Sequence, residues 1–211
     1  TWSCSARARS RGTDAGIHNR KPTGGPKRSI QSVPVPRTEI QMAIYEFEGK
    51  RPKVGEGTFI FESADVIGNV VLGKDVYVGP GARIRGDYGR IEIGDGSAVE
   101  DNVVIHARPD DITRIGKNVT LGHGCVIHNC TLEDYVVIGM NAVVSDWAKL
   151  GEWAVVGEGA VVRNKGVVES GEIAVGVPAK VKAKVSEEYK RQWTHFKGVY
   201  SSLARERYPA S

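Results

Sequence analysis

From residue 60 onward a large aliphatic residue returns at every sixth position: Ile60, Val66, Leu72, Val78 and Ile84, and later Leu132, Ile138, Val144, Leu150, Val156 and Val162. A smaller apolar residue follows four positions behind, at Ala64, Val70, Val76 and Ala82, then at Val136, Ala142, Ala148, Ala154 and Ala160. A period of six is neither the 3.6 of an amphipathic helix nor the 2 of a half-buried strand. It fits short straight strands joined by tight corners, three to a turn, with the aliphatics turned inward and glycine at many corners. The predicted fold class is an all-β solenoid, a left-handed parallel β-helix of hexapeptide repeats, spanning residues 42–180.

The middle of the series is interrupted. The step is nine from Ile84 to Ile93, ten from Ile105 to Ile115 and five from Ile127 to Leu132, so "RGDYG" and "ARPDDITR" carry excursions. Such irregularities mark the binding face of a solenoid. Past "VGVPAK" the period changes: Ser186 is a helix cap with Glu187 and Glu188 in the first turn, and Tyr189, Trp193, Phe196, Tyr200 and Leu203 form one apolar stripe. A C-terminal helix within residues 181–211 is expected to pack along the prism, with His195 solvated off the stripe. Residues 1–41, rich in Arg, Ser, Gly and Pro, have no periodicity and are expected to be a disordered leader or non-native extension before "MAIYEFEGKRP". An organelle transit peptide is the alternative reading of that leader.

Charge changes the picture once the leader is set aside. The chain carries 29 basic and 25 acidic side chains, but residues 1–41 hold Arg7, Arg9, Arg11, Arg20, Lys21, Lys27, Arg28 and Arg37 against Asp14 and Glu39. The remainder is slightly acidic, which argues against a nucleic-acid partner. Three cysteines cannot make a disulfide framework, and no apolar run is long enough to span a bilayer. A cytoplasmic protein with no membrane partner is expected, and Cys125 and Cys130 read as core residues.

Three histidines remain to be placed. If the excursions leave the order of faces intact, Ile84, Ile105 and Ile127 share one face on successive turns, and Arg85, His106 and His128 stack behind them about 4.8 Å apart. His123 follows Leu121 on the adjacent face, with Asp101 in the equivalent place one turn earlier. It reaches the His106–His128 column only across to a neighbouring prism, in an assembly of three chains with shared sites, where Arg85 faces a neighbour's Asp101. Three imidazoles with an open fourth position are the ligand set of a catalytic zinc that activates water.

"IRGDYGRIEIG", "VEDNVVIH", "TLGHGCVIH", "VIGMNAVV" and "GVPAK" resemble, in order, segments of the γ-class carbonic anhydrases and their carnitine-operon and phenylacetate-degradation relatives. The resemblance covers roughly residues 46–208 and is closest to that second branch. It implies a homotrimer with metal sites at subunit interfaces, His106 and His128 binding metal from one subunit and His123 from the next, and Arg85, Asp87 and Asp101 in the trimer interface. It makes Glu100, Tyr88 and Asn141 the candidate catalytic residues. The chain departs from the archetype of the class, which has a glutamine where Glu100 stands, an asparagine at Ala98, a proton-transfer glutamate at Tyr88, and a long acidic loop that here shrinks to the stretch around Asp110 and Asp111.

The expected function is reversible hydration of carbon dioxide to bicarbonate, a lyase reaction, with zinc as cofactor and iron or cobalt as alternatives. Three other readings stand beside it: hydrolysis of a coenzyme A thioester at the same metal site, acyl transfer by a hexapeptide-repeat acyltransferase, and a structural homologue without turnover. Acyl transfer needs a histidine as general base, whereas all three candidates are placed as ligands.

Overall fold

The structure, a computed structural model, describes residues 44–208. The leader expected over residues 1–41 lies outside them. The chain winds into a left-handed parallel β-solenoid of about seven turns followed by one helix. Each turn lays one short strand on each of three faces, and the hexad aliphatics fill the interior: Leu72, Ile84, Ile91, Ile105, Leu121, Ile127, Leu132, Ile138 and Leu150 are all essentially inaccessible. Full burial of each such side chain contributes about 1.5–3 kcal/mol.

The faces differ on their outer sides. The first, here the histidine face, holds the start of Arg83–Ile93 and the strands Val104–His106, Val126–His128, Val143–Val144 and Val161–Val162. The second, the polar face, holds the end of Arg83–Ile93 with Ile112–Ile115, Thr131–Leu132, Lys149–Leu150 and Val167–Val168. The third, the helix face, holds Phe59–Ile60, Tyr77–Val78, Ala98–Val99, Thr120–Leu121, Val137–Ile138, Val155–Val156 and Glu172–Val175. Arg83–Ile93 and Asp65–Leu72 run unbroken around the corner between the first two faces, which joins those faces into one hydrogen-bonded sheet.

The registers fix where the candidate residues fall. Ile84 pairs with Ile105 and Ile105 with Ile127, which stacks Arg85, His106 and His128 on consecutive coils. Leu121 pairs with Val99. Corners require positive φ, and many are filled by asparagine as well as glycine, among them Asn102, Asn129 and Asn141. Asparagine tolerates this region because its short side chain bonds the local backbone.

The helix Glu187–Ser202 begins at Ser186, whose hydroxyl accepts from Tyr189 N. It runs back along the helix face. Lys190 lies over Trp153, Lys197 reaches Thr120, Tyr200 packs on Tyr77, and beyond the helix Tyr208 packs on Phe59 and Phe61. The buried side of this helix corrects the stripe expected from sequence. Phe196 is 43% exposed, while Lys197 is 4% exposed and Ala204 is buried. Tyr189, Trp193, Lys197, Tyr200 and Ala204 keep a helical step just as well, and the long lysine stem supplies the apolar contact expected of Phe196.

Candidate metal and catalytic site

The candidate residues gather on the two edges that bound the histidine face. On the edge shared with the polar face, His106 Nδ1 and His128 Nε2 face each other 3.2 Å apart. The opposite nitrogen of each ring is held by a carboxylate: His106 Nε2 donates to Asp87 Oδ1 at 2.9 Å, and His128 Nδ1 donates to Asp146 Oδ1 at 2.5 Å. The second oxygen of each carboxylate accepts from an arginine, Arg85 Nη1 at 2.5 Å for Asp87 and Arg108 Nη2 at 2.6 Å for Asp146. Burial works against ionisation of Asp87, but the bonds from His106 and Arg85 outweigh it and hold its carboxyl below the ordinary range. The hydrogen bond from Arg108, aided by that from His128, does the same for Asp146 against its burial.

That arrangement fits a metal ion. The carboxylates take the N–H of each imidazole, so the two facing nitrogens, 3.2 Å apart, turn lone pairs toward one another, an arrangement bridged either by one shared proton or by a metal ion. Two ligands of a tetrahedral ion with metal–nitrogen bonds of 2.0–2.1 Å sit about 3.3–3.4 Å apart. Carboxylates behind ligating imidazoles are the usual outer partners of such sites. Among the described residues no group of three His, Cys, Asp or Glu side chains within one chain can hold a metal ion.

His123 stands on the other edge of the face, shared with the helix face, 48% exposed along its side chain. It turns on Gly124, whose φ of +70° only glycine or asparagine adopts readily. Its Nε2 lies 3.1 Å from Glu100 Oε2 and its Nδ1 lies 3.5 Å from Asp101 Oδ2. Glu100 is 6% exposed and accepts from the His123 backbone N–H as well. Asn141 stacks on the next coil, donating its backbone N–H to His123 O. Tyr88, exposed at the tip of the "RGDYG" excursion, sits with its ring centroid 5.7 Å from that of His106. One chain therefore carries two separate groups of candidate residues: Arg85, Asp87, Tyr88, His106 and His128 on one edge, and Glu100, Asp101, His123 and Asn141 on the other.

Three participants were not foreseen from sequence. Asp146 lies two residues past Val144, which pairs with Ile127 one coil earlier, so the stacking register brings its corner beside His128. Arg108 comes from the "ARPDDITR" excursion, a stretch already marked by its length. Lys197 donates to Thr120 Oγ1 at 3.0 Å, and burial pulls its ammonium pKa down to about 7 against the opposing attraction of Glu100. Tyr200 also reaches Glu100, and burial together with that hydrogen bond pushes its hydroxyl pKa up. Cys125 and Cys130 are fully buried, free thiols, and burial raises both above the range in which thiolates form.

Comparison with known proteins follows the same outline. Residues 51–86, 112–146 and 129–164 match the bacterial transferase hexapeptide (six repeats) family. The chain is 36% identical over 147 residues to the carnitine operon protein CaiE of Escherichia coli strain K12, covering 70% of this chain and 75% of that protein. It is 37% identical over 147 residues to CaiE of Salmonella agona, covering 70% of this chain and 74% of the relative. Among solved structures, a hexapeptide transferase family protein from Anaplasma phagocytophilum superposes with a TM-score of 0.74 at 34% identity, covering 77% of this chain and 96% of the other.

Proposed function

Given that the chain belongs to the hexapeptide-repeat family that includes the carnitine operon protein CaiE, we propose that it is a γ-carbonic anhydrase-like enzyme that interconverts carbon dioxide and bicarbonate. The observation that carries this reading is the pair of imidazoles 3.2 Å apart, each backed by a carboxylate, with a third imidazole on the opposite edge of the same face. His106 and His128, with His123 of the partner subunit, would hold zinc, with iron or cobalt as alternatives. Bound there, the cation supplies a Lewis acid that makes water nucleophilic near neutral pH.

The outer side of the histidine face supports this assembly. Val104, Val126, Val143 and Val161 form an apolar column there, and Val104 is 40% exposed. No element among the described residues covers this column. A ring of three copies buries it against the next chain's edge and brings each His123 to a neighbour's histidine pair.

The chain's own groups divide the remaining work. Hydration of carbon dioxide releases a proton, and Glu100 Oε2, beside His123 Nε2, is the carboxylate placed to take it. Tyr88, exposed at the tip of its excursion, stands with its ring beside that of His106. Glu100→Gln is expected to lower turnover modestly in concentrated buffer, where buffer accepts the proton, and severely in dilute buffer. Equal losses in both would leave Glu100 an orienting role only.

A second reading, hydrolysis of a coenzyme A thioester at the same site, is favoured by a separate feature. A cleft of about 660 Å³ opens at the C-terminal end of the prism, where the histidine and polar faces meet, lined by Ser145, Val162, Arg163, Lys165, Val168 and Val181 among others. Its two cations and apolar floor suit an anionic, partly apolar ligand. Carbon dioxide hydration and thioester hydrolysis, assayed side by side on zinc-loaded protein, separate the readings. Turnover of carbon dioxide supports the first, and turnover of thioester alone supports the second.

A further inference from the structure

We propose that Asp87 and Asp146 are positioning residues, each anchored by its own arginine, and that these two Arg–Asp–His relays set the tautomer and aim of His106 and His128. The inference rests on the reading of those histidines as metal ligands, and extends it to residues that the family resemblance places in the subunit interface or leaves unassigned.

The two relays have the same construction. In each, one carboxylate oxygen takes the guanidinium and the other takes the imidazole: Arg85 to Asp87 to His106, and Arg108 to Asp146 to His128. A carboxylate bonded through one oxygen alone pivots about its bond to the chain. Bonded through both, it presents a fixed acceptor, and the imidazole facing it keeps its N–H on that side. The outcome differs between the rings as it must. Asp87 takes Nε2 of His106 and leaves Nδ1 free, whereas Asp146 takes Nδ1 of His128 and leaves Nε2 free, and these two free nitrogens are the ones that meet at 3.2 Å.

Arg108 is itself held in place. Its guanidinium lies 5.2 Å from the centre of the Trp147 ring, and its backbone N–H donates to Asn129 Oδ1. The Asn129 amide and the Trp147 indole N–H both donate to Asp111 Oδ2. Both arginines are about half exposed along their side chains while both carboxylates are largely buried. Each guanidinium thus neutralises a sheltered carboxylate whose other oxygen ends on an imidazole, and affinity and tautomer readouts separate positioning from stability alone.

The test uses the full chain, metal-free and then titrated with zinc against a chromophoric chelator. Asp87→Asn and Asp146→Asn are each expected to weaken zinc binding by about 10–100-fold, and Arg108→Gln to weaken it less. Asp65→Asn, which breaks the Asp65–Arg83 pair away from the histidines, serves as control and is expected to bind as the parent does. Nitrogen-15 NMR of the metal-free parent gives a second readout: His106 as the Nε2–H tautomer, His128 as the Nδ1–H tautomer, and a mixture at His128 in Asp146→Asn. Zinc affinities within twofold of the parent in both Asn variants, with tautomers unchanged, overturn the proposal. If the parent itself binds no zinc, the metal reading fails, and the tautomers alone then decide whether the relays position the rings.

Discussion

The helix face and the histidine face have similar outer surfaces and different fates. On the helix face Tyr77, Ala98, Thr120, Val137 and Val155 point outward and are nevertheless buried, because the chain's own C-terminal helix and the neighbouring aromatics lie over that side. On the histidine face Val104, Val126, Val143 and Val161 point outward and remain exposed or half-buried. The polar face, with Glu92, Arg114, Thr131 and Lys149 outward, needs no cover. A solenoid face that is apolar on both sides asks for a partner, and the described residues supply one for only one of the two such faces. The candidate chemistry lies along the two edges of the face left bare.

The largest effect is expected where that difference is attacked directly. Val126→Asp combined with Val143→Asp places two charges in the bare column, where burial of an unpaired carboxylate costs several kcal/mol. Sedimentation is expected to find monomers in place of trimers, with metal content falling to near zero while circular dichroism keeps the parent's β-solenoid spectrum. Trimers that persist with full metal content would falsify the assignment of this face to self-association.

The covered face has its own vulnerable point at Lys197. Burial depresses its pKa to about 7 from an unfolded value near 10.5, so between those limits the unfolded chain binds the proton more readily than the folded one. Stability therefore rises with pH from about 7 to 10.5 and is lowest, and level with respect to this group, below 7. Lys197→Met is expected to flatten that slope and to raise the melting temperature more at pH 6 than at pH 10. An unchanged slope would place the ammonium in water.

Smaller effects follow at the corner and the cap. Gly124→Ala puts a β-carbon at φ +70° against the Asn141 side chain. It is expected to destabilise by about 1–2 kcal/mol and to disturb His123 without touching the His106–His128 pair, so metal affinity is expected to fall in the assembly alone. Ser186→Ala removes the helix cap and costs about 1 kcal/mol, with trimer formation and metal content unchanged. Calorimetry on both variants checks the order.

Much of this was legible in the sequence, for a physical reason. The interior of the prism admits only aliphatics of limited size at fixed spacing, so Ile84, Ile105 and Ile127 announce their stacking through the period alone, and His106 and His128 follow by one step. Corners are less legible, since their length varies by a residue without disturbing the core. Asp146 stands in a corner of regular length between Val144 and Leu150, and the period does not tell which way a corner side chain turns. The helix stripe misled at Phe196 because periodicity ranks side chains by polarity, whereas Lys197 is buried with its amine over the Trp193 ring and donating to Thr120. Register across chains has no trace in hexads at all. Only the placement of His123 on the opposite edge, out of reach of the His106–His128 pair, hints at it.

The central claim is that each metal site is completed by a second copy, and complementation between two inactive variants tests it most directly. His106→Ala and His123→Ala, each assembled alone, are expected to bind no zinc. Unfolded together in equal amounts and refolded, they form mixed trimers in which one interface of three unites an intact pair with an intact His123, so about a quarter of all sites are restored. Zinc recovered at about one site in three within the mixed trimers, and so about a quarter of all sites, is the predicted result. Mixed trimers that form in the expected proportions and hold no zinc contradict the shared site.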